Sequence, residues 1–409
     1  MPISTISQTA LTLLFSLLLS VGLWAQNSPA HGISVQRMDR LQQFVEQQIE
    51  EGKLHGAVCL VERKGQMAYQ KSYGYSNLPA RKAMKDNQIF YIQSMTKPIV
   101  SVAFMMLYEE GHFLLTDPLA QHLPQFSDMK VAKDPSLGLE SELEAAKSDI
   151  TLAQVLSHTA GFSHGLGSSK LDKAYLQKLY YSPHENVEAR VNALASMPLV
   201  GHPGEQWYYS ASPDILSLLI EKFSGMNTAE FLQKRLFDPL GMTDTGYNLP
   251  EDKHQRASLL HNYDRQGKLV ESQRQTPNSG HTIYGGTHGL FSTAADYLRF
   301  CKMLLNGGQL DGTRYLSRKT IELMTADHVG DLFQEPGFGF GLGFGVRNDL
   351  AKAQTAGSLG QFFWNGAYNT YFIIDPQEDL IAIMMMQFAP YTDYYKKKFR
   401  QFVYQAIVD

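Results

Sequence analysis

The sequence predicts an α+β fold (an α/β sandwich) in which one antiparallel sheet is flanked by N- and C-terminal helices. A mostly helical lobe is inserted between the two parts that form the sheet. Three observations predict it: hairpin patterns near both chain ends, an amphipathic helix at each end, and helical periodicity between them. With 409 residues, 44% of them hydrophobic, the chain can bury a sizeable core. We expect residues 33–125 and 285–409 to form the discontinuous α/β domain and residues 126–284 the helical lobe.

The N-terminal part reads as a helix followed by a hairpin. Residues 39–49 are predicted to form an amphipathic helix. Residues 57–62 and 67–75 are predicted strands on either side of the short polar turn 63–66 (RKGQ), a pairing typical of a β-hairpin. The apolar stripe of the helix consists of Leu41, Phe44, Val45 and Ile49.

Helices are predicted to dominate the middle of the chain. Apolar-periodic segments occur at residues 152–156, 187–197 and 215–223, and polar loops separate them. A capping-box pattern at residues 293–296 precedes a further helix at 297–305, which ends at the sequence Asn-Gly-Gly.

The C-terminal part carries a second hairpin and a closing helix. Residues 368–374 and 380–387 flank a turn that contains proline. Residues 394–403 have helical spacing, and we interpret the basic run at 396–398 as the solvated face of that helix.

The glycine-rich stretch at residues 337–345 (GFGFGLGFG) does not fit a nucleotide-binding loop. Its glycines alternate at period two, whereas a dinucleotide site needs G-x-G-x-x-G at the start of a helix. We interpret it as one strand whose glycine face allows close backbone approach. The sequence contains no phosphate-loop motif, no H-E-x-x-H and no paired C-x-x-C, so no cofactor and no metal are expected.

Charge and the N-terminus limit location and partners. The 36 basic and 40 acidic residues give a net charge of −4, which offers no support for nucleic-acid binding. Residues 1–25 contain an apolar run with the length of a signal peptide, which predicts a periplasmic or secreted protein without a stable membrane span after cleavage. No positive segment precedes the run, so an uncleaved anchor remains an alternative. Cys59 and Cys301 lie in apolar segments and are expected to be buried free thiols, with a disulfide between them as the alternative.

A serine and a lysine at i and i+3 form the leading candidate for catalysis. Ser94 and Lys97 lie at the start of an apolar helix, because Pro98 is tolerated only within a first turn. That spacing places the hydroxyl and the amine on one face, near backbone N–H groups that can stabilise an oxyanion. The serine hydroxyl needs a base. A buried, neutral Lys97 is one candidate for that base, and a tyrosinate at Tyr209 is another. The residues alone leave the adjacent Tyr208 as an alternative to Tyr209.

A second nucleophile motif, G-x-S-x-G, occurs at residues 161–165 around Ser163. That motif requires a strand before it and a helix after it. Here the preceding residues are helix-like and a loop follows, so we expect His158 and His164 to shape the loop by hydrogen bonding and Ser94 to be the nucleophile.

Several of these segments together resemble the penicillin-recognising serine hydrolases, in particular the class C β-lactamase-like branch with its esterases and D-aminopeptidases. The resemblance runs over roughly residues 35–405, and it implies the β-lactamase/transpeptidase-like fold. The segments that carry it are residues 90–98 (FYIQSMTKP), 109–118 (EEGHFLLTDP), 156–162 (LSHTAGF), 238–242 (DPLGM) and 285–293 (GGTHGLFST).

The resemblance also implies roles for site residues. The second family motif, Y-x-N, falls on residues 209–211 and favours Tyr209 over Tyr208. The third, K-T-G or H-x-G, falls on Trp364, Asn365 and Gly366, which with Tyr91 are assigned to substrate binding. The backbone N–H groups of Ser94 and Ala367 would form the oxyanion hole.

Two departures from the family pattern favour ester substrates. Ala211 replaces the asparagine of the second motif, and Trp364 replaces the cation or imidazole that helps to hold a lactam or peptide carboxylate. An aromatic ring there offers an apolar wall. We expect a carboxylesterase that acts on small esters through an acyl-enzyme. The alternatives are a β-lactamase or D-Ala peptide hydrolase, an acyltransferase, and a catalytically silent envelope binding protein.

Overall fold

The computed structural model describes Pro29 and residues 31–409. The predicted signal peptide, residues 1–25, lies outside the described residues. The α-helices are α1 Val35–Glu50, α2 Thr96–Glu109, α3 Leu119–His122, α4 Leu152–Ser157, α5 Lys170–Leu176, α6 Val187–Ala195, α7 Ser212–Ser224, α8 Thr228–Leu232, α9 Asp238–Leu240, α10 Ala294–Leu305, α11 Arg318–Met324, α12 Leu350–Ala353 and α13 Asp393–Tyr404. Short 3-10 helices lie at Gln93–Met95, Pro124–Phe126, Pro135–Glu140, Glu251–Arg256 and Gly330–Leu332, and π-helical turns lie at Gln177–Tyr181 and Gln233–Phe237.

Most strands belong to one large sheet. The strands are β1 Gly56–Arg63, β2 Gln66–Asn77, β3 Lys82–Ala83, β4 Phe90–Tyr91, β5 Lys130–Ala132, β6 Leu143–Ala145, β7 His261–Tyr263, β8 Leu269–Glu271, β9 Phe291–Ser292, β10 Gln309–Leu310, β11 Thr313–Arg314, β12 Phe338–Phe340, β13 Gly345–Arg347, β14 Phe362–Asn365, β15 Tyr371–Asp375, β16 Leu380–Met385 and β17 Phe388–Ala389.

The large sheet is built from both ends of the chain. Its order is β12-β13-β14-β15-β16-β1-β2-β3, and every neighbouring pair is antiparallel. The two ends meet where β1 pairs with β16, in a register that places Val58 opposite Met385 and Arg63 opposite Leu380. The predicted antiparallel sheet and inserted helical segments are therefore confirmed.

Helices cover both faces of this sheet. Along β1, Val58 and Leu60 belong to the larger core, whereas Ala57, Cys59 and Val61 belong to a second core on the opposite face. Side chains alternate between faces along a strand, so a strand buried throughout must be covered twice. The terminal helices α1 and α13 cover the second face, α10 packs on the first, and α2 and α7 belong to the same larger core.

The glycine-rich stretch was wrongly predicted as a single strand. It forms the hairpin of β12 and β13, with Gly339 opposite Val346 and a turn in between. The turn needs glycine, because Gly343 has φ +97° and a Cβ there would lie 2.5 Å from Ser101 Oγ. The chain therefore turns back beside α2 at Gly343 and does not continue as one extended strand through residues 337–345.

The interpretation of the basic run as a solvated face also needs correction. Lys397 is well exposed, but the side chain of Lys396 is only 12% exposed and pairs with Asp393 at 2.7 Å. The wall of the main cavity lies beside α13 at this point, which a helical repeat cannot reveal.

Part of the predicted lobe lies against the sheet-forming part of the chain. β7 pairs in parallel with β17, and Ala257 bridges to Ile89. Within residues 31–409 no helix has the length and apolar character needed to cross a bilayer. Both cysteines are buried free thiols, as expected.

Candidate active site

Ser94 lies at the junction between strand β4 and helix α2. Gln93, just before it, has a φ of +50°, a conformation that side chains rarely adopt. The 3-10 turn Gln93–Met95 then leads directly into α2, so Ser94 lies beside first-turn N–H groups that lack partners within the helix. Strained backbone of this kind is often found where a side chain must be held for chemistry.

Lys97 lies one turn further along and points back to Ser94. Its Nζ donates to Ser94 Oγ at 3.1 Å and to the carbonyl oxygen of Thr287 at 2.8 Å. The side chain is almost completely buried, at 1% exposure. Burial lowers the pKa of Lys97 well below its usual value, and the charge of Asp214 only partly opposes this shift. A neutral amine within hydrogen-bonding distance of a serine hydroxyl is positioned to act as a base.

The Thr287 carbonyl is held in place by a buried ion pair. Thr287 N donates to Asp214 Oδ1 at 2.9 Å, and Asp214 pairs with Arg190 Nε at 2.9 Å. The chain can approach this closely because Gly285 and Gly286 precede Thr287. A Cβ on Gly285 would lie 1.9 Å from Arg190 Nη2, and one on Gly286 would lie 2.2 Å from the Pro213 carbonyl.

Tyr209 approaches the pair from the helical segments. Lys97 Nζ lies 4.5 Å from the centroid of its ring. Burial of the hydroxyl raises the pKa of Tyr209, and the Ser94 and Trp364 side chains only partly offset the effect. Tyr209 is therefore protonated at neutral pH. Tyr208 points elsewhere and donates to both carboxylate oxygens of Asp172 at 3.0 Å.

The G-x-S-x-G segment supports Tyr209 and contains no accessible nucleophile. Ser163 is fully buried, and its hydroxyl donates to Asp172 Oδ1 at 2.5 Å. His164 N donates to the Tyr209 carbonyl at 3.1 Å, and the His164 ring stacks on the Tyr209 ring with centroids 5.4 Å apart. His158 Nδ1 lies 2.8 Å from Ser210 Oγ. Burial lowers the pKa of both histidines well below the usual value, so both are neutral positioning groups.

Strand β14 brings the third predicted motif close to Ser94. Gly366 follows the strand, and a Cβ there would lie 2.4 Å from the Ile92 carbonyl, two residues before Ser94. The missing side chain thus lets the end of the strand lie against the turn that carries Ser94. Trp364 packs its ring 5.6 Å from that of Tyr209.

A cavity of about 800 Å³ opens at these groups. Aromatic and aliphatic side chains form most of its wall, with a few charged groups from the segment between α11 and β12 and from α13. Its lining consists of Ser94, Leu166, Gly167, Trp207, Tyr208, Tyr209, Leu332, Phe333, Gln334, Glu335, Phe363, Trp364, Asn365, Ala367, Tyr391, Asp393 and Lys396.

The structure brings together most of the predicted site residues. Ser94, Tyr209, Trp364, Asn365 and Ala367 line the cavity, and Lys97 lies directly behind Ser94.

Two predicted substrate-binding residues do not line it. The Tyr91 hydroxyl is bonded to His288 Nδ1 at 3.1 Å, and its ring packs against Phe291, so its position does not support substrate contact. Gly366 acts through its backbone approach to Ile92.

The sequence model of the beta-lactamase family matches residues 41–403. The chain belongs to the beta-lactamase family. The predicted kinship with penicillin-recognising serine hydrolases is thereby confirmed.

Relatives of this beta-lactamase-family chain cover nearly its whole length. Protein Rv1367c of Mycobacterium tuberculosis is 32% identical over 86% of this chain and 90% of its own length. Esterase EstB of Burkholderia gladioli is 26% identical over 85% and 89% of the two chains. Among solved structures, EstCE1, described as a hydrolase with promiscuous acyltransferase activity, has a TM-score of 0.77 at 23% identity and covers 90% of this chain and 99% of its own. That likeness shows the shared fold.

Several residues of this family member's site were not predicted from sequence. Asp214, Arg190 and Thr287 are brought together from distant segments, and Trp207 and Phe333 pack edge to face at 4.7 Å in the cavity wall. Two features of the sequence could have indicated these residues: an aspartate at the start of an apolar helix, and a Gly-Gly pair directly before Thr287. Residues 31–409 contain no group of three or more His, Cys, Asp or Glu side chains that could hold a metal.

Proposed function

We propose that this protein is a serine esterase that hydrolyses small-molecule esters through an acyl-enzyme on Ser94. The observation that carries the proposal is the buried Lys97 amine 3.1 Å from Ser94 Oγ, at the end of an aromatic-walled cavity. Ser94 Oγ attacks the ester carbonyl carbon, and the oxygen that becomes negative is stabilised by the N–H groups of Ser94 and Ala367. The alcohol leaves with a proton, and water then attacks the acyl-enzyme to release the acid.

The two pKa shifts assign the proton-transfer roles. The pKa of Lys97 is lowered, so its neutral amine accepts the Ser94 proton. The pKa of Tyr209 is raised, so its phenol starts protonated and donates to the leaving alkoxide, after which the Lys97 ammonium reprotonates it. The sequence left two candidates for the base, a neutral Lys97 and a Tyr209 tyrosinate. The raised pKa of Tyr209 disfavours the tyrosinate.

The cavity wall favours esters over lactams. Trp364 lines the cavity at the position where the family's third motif, K-T-G or H-x-G, has a cation or imidazole, and it presents an apolar ring that cannot pair with a carboxylate. Relatives named for ester hydrolysis fit this choice: EstB, and the lovastatin esterase of Penicillium rubens, which is 27% identical over 83% of this chain.

Acyl transfer is the second candidate function. One cavity of about 800 Å³ beside Ser94 has room for an acyl group together with an acceptor alcohol, and its apolar wall disfavours water. Acyltransferase mokF of Monascus pilosus is 28% identical over 68% of this chain. Adding a primary alcohol during ester turnover would reveal transfer as a new ester product.

We expect turnover of short-chain p-nitrophenyl esters and little or no hydrolysis of nitrocefin. The expectation follows from the missing carboxylate-binding cation at Trp364. Steady-state kcat/KM for both chromogenic substrates, measured on the same preparation, checks it. Efficient nitrocefin cleavage without ester turnover would contradict the assignment, and Trp364→His, which restores an imidazole, is the matched variant for gaining lactam activity.

We also propose that the protein is exported and cleaved near residue 25. The support is the apolar run before the first charged residue, Arg37. Expression with the native N-terminus in a Gram-negative host should give a mature protein in the periplasmic fraction whose N-terminal sequence begins at about residue 26. An intact Met1 terminus in the membrane fraction would instead support the uncleaved anchor.

A further inference from the structure

We propose that Asp214, backed by Arg190, is the positioning residue that holds and electrostatically tunes Lys97 through the Thr287 backbone. The inference rests on the proposed function, because it assigns a role in activating Ser94. It adds to that mechanism a residue pair that touches neither the substrate nor the nucleophile.

Three hydrogen bonds connect the start of helix α7 to Lys97 through Thr287. Asp214 Oδ1 accepts from Thr287 N at 2.9 Å, and the carbonyl of the same residue accepts from Lys97 Nζ at 2.8 Å. A second bond, from Thr287 Oγ1 to the Ala211 carbonyl at 3.2 Å, fixes the residue on its other side. Thr287 is thus clamped to the start of helix α7, and the carbonyl it offers to Lys97 cannot turn away.

The burial of the pair indicates a specific role. The side chains of Asp214 and Arg190 are only 2% and 7% exposed. Removing two charges from water is costly, and a buried ion pair is often no more stabilising than apolar residues of the same size. General stability is therefore a weak explanation for the pair, whereas the Thr287–Lys97 contacts give it a definite task.

The sequence pattern at the second motif fits the same role. Ala211 stands where the family pattern has asparagine, so position 211 offers no side-chain amide. Besides Ser94 Oγ, the hydrogen-bond partner of the Lys97 amine is the Thr287 backbone carbonyl. Asp214, three residues further on, secures that carbonyl.

Asp214 also acts on Lys97 through its charge. The charged and titratable groups that face Lys97 are Asp214, Tyr209, His158, His164 and His288, with Arg190 behind Asp214. Burial lowers the pKa of all three histidines, so they are neutral and contribute no charge at neutral pH. Asp214 is the one group that raises the pKa of Lys97 against the effect of burial. It keeps the amine basic enough to take a proton from serine.

The test separates charge from geometry with two substitutions at one position. Asp214→Asn keeps an oxygen that can accept from Thr287 N but removes the charge. Asp214→Ala removes both. The readout is the second-order rate of fluorophosphonate labelling of Ser94 between pH 5 and 10, which requires no knowledge of the natural substrate.

The charge-neutral variant should shift the pH profile. Labelling needs neutral Lys97, so it declines as pH falls through the pKa of that amine. Without the Asp214 charge that pKa falls further, and the acidic limb in Asp214→Asn should move down by roughly one pH unit. The plateau rate should stay within about tenfold of wild type. In Asp214→Ala the plateau should fall by a further ~10- to 100-fold, because Lys97 is no longer held in place.

Controls keep the result interpretable. Asp296→Asn is matched, because Asp296 is also a buried carboxylate that accepts a backbone N–H, from Asp244 at 2.7 Å, but it does not line the cavity and does not shift the pKa of Lys97. It should leave the acidic limb in place. Should the unpaired Arg190 prevent folding, Arg190→Gln/Asp214→Asn removes both charges and should show the same downward shift.

Two outcomes overturn different claims. An unshifted acidic limb in folded Asp214→Asn, with wild type labelled normally, refutes the role of Asp214 alone. No labelling of Ser94 in wild type at any pH refutes the proposed esterase as well.

Discussion

Replacing Ser94 with alanine is expected to abolish fluorophosphonate labelling and to lower kcat for p-nitrophenyl esters by at least about 10⁴-fold. The other hydroxyls that line the cavity are not positioned to replace it: Tyr208 is bonded to Asp172, Tyr391 donates to Asp393 at 2.6 Å, and burial raises the pKa of Tyr209. Loss of a serine nucleophile removes the acyl-enzyme pathway entirely, and what remains is catalysis by the oxyanion-stabilising N–H groups and binding. Labelling and steady-state kinetics on the purified variant check the expectation.

The matched control for this change is Ser163→Ala, in the competing G-x-S-x-G motif. Ser163 is fully buried and bonded to Asp172, so its loss should cost about 1 kcal/mol of stability and leave labelling intact. If Ser163→Ala were to abolish labelling while Ser94→Ala kept it, the nucleophile would have been assigned to the wrong motif.

Replacing Lys97 with methionine should lower kcat by roughly 10² to 10⁴, the usual contribution of a general base. Methionine keeps much of the apolar stem but has no amine to accept the Ser94 proton. Lys97→Arg should not restore activity, because a guanidinium stays protonated at all accessible pH values. Burst kinetics with a p-nitrophenyl ester would show whether the loss falls on formation of the acyl-enzyme.

Thermal unfolding supplies an independent readout of the same lysine. The pKa of Lys97 is lowered by burial in the folded protein, so between that folded-state pKa and the ordinary value the amine is neutral when folded and takes up a proton on unfolding. Wild-type stability therefore declines as pH falls toward the folded-state pKa, and Lys97→Met lacks this contribution. The difference in thermal unfolding midpoint, Lys97→Met minus wild type, should therefore increase as the pH is lowered from 9 to 6. The exposed Lys234→Met is the control, expected to show neither the kinetic loss nor this trend.

The overall architecture could be predicted because its signals are local. Strand alternation and helical repeats depend on neighbouring residues, so α1, α13 and both hairpins agreed with the structure within a few residues. The glycine-rich stretch at 337–345 was mistaken for one strand, because its turn packs closely against Ser101, more than 200 residues away in sequence, which no local pattern shows.

For the candidate site, too, local signals were predictable from the sequence and contacts between distant segments were not. The i, i+3 spacing of Ser94, in the 3-10 turn, and Lys97, in the first turn of α2, determined their proximity, and the family resemblance pointed to Tyr209 and Trp364. No local pattern could show that Tyr91 faces His288 instead of the cavity, or that Lys396 turns inward.

The sequence alone determined three features: a sheet built from both ends of the chain, helices between those ends, and a serine and a lysine one turn apart. Tertiary structure decided how basic that lysine is, since its pKa depends on burial and on Asp214, which reaches it only through Thr287. The physical reason is range: backbone periodicity acts over a few residues, whereas desolvation and charge act through space among groups that folding brings together.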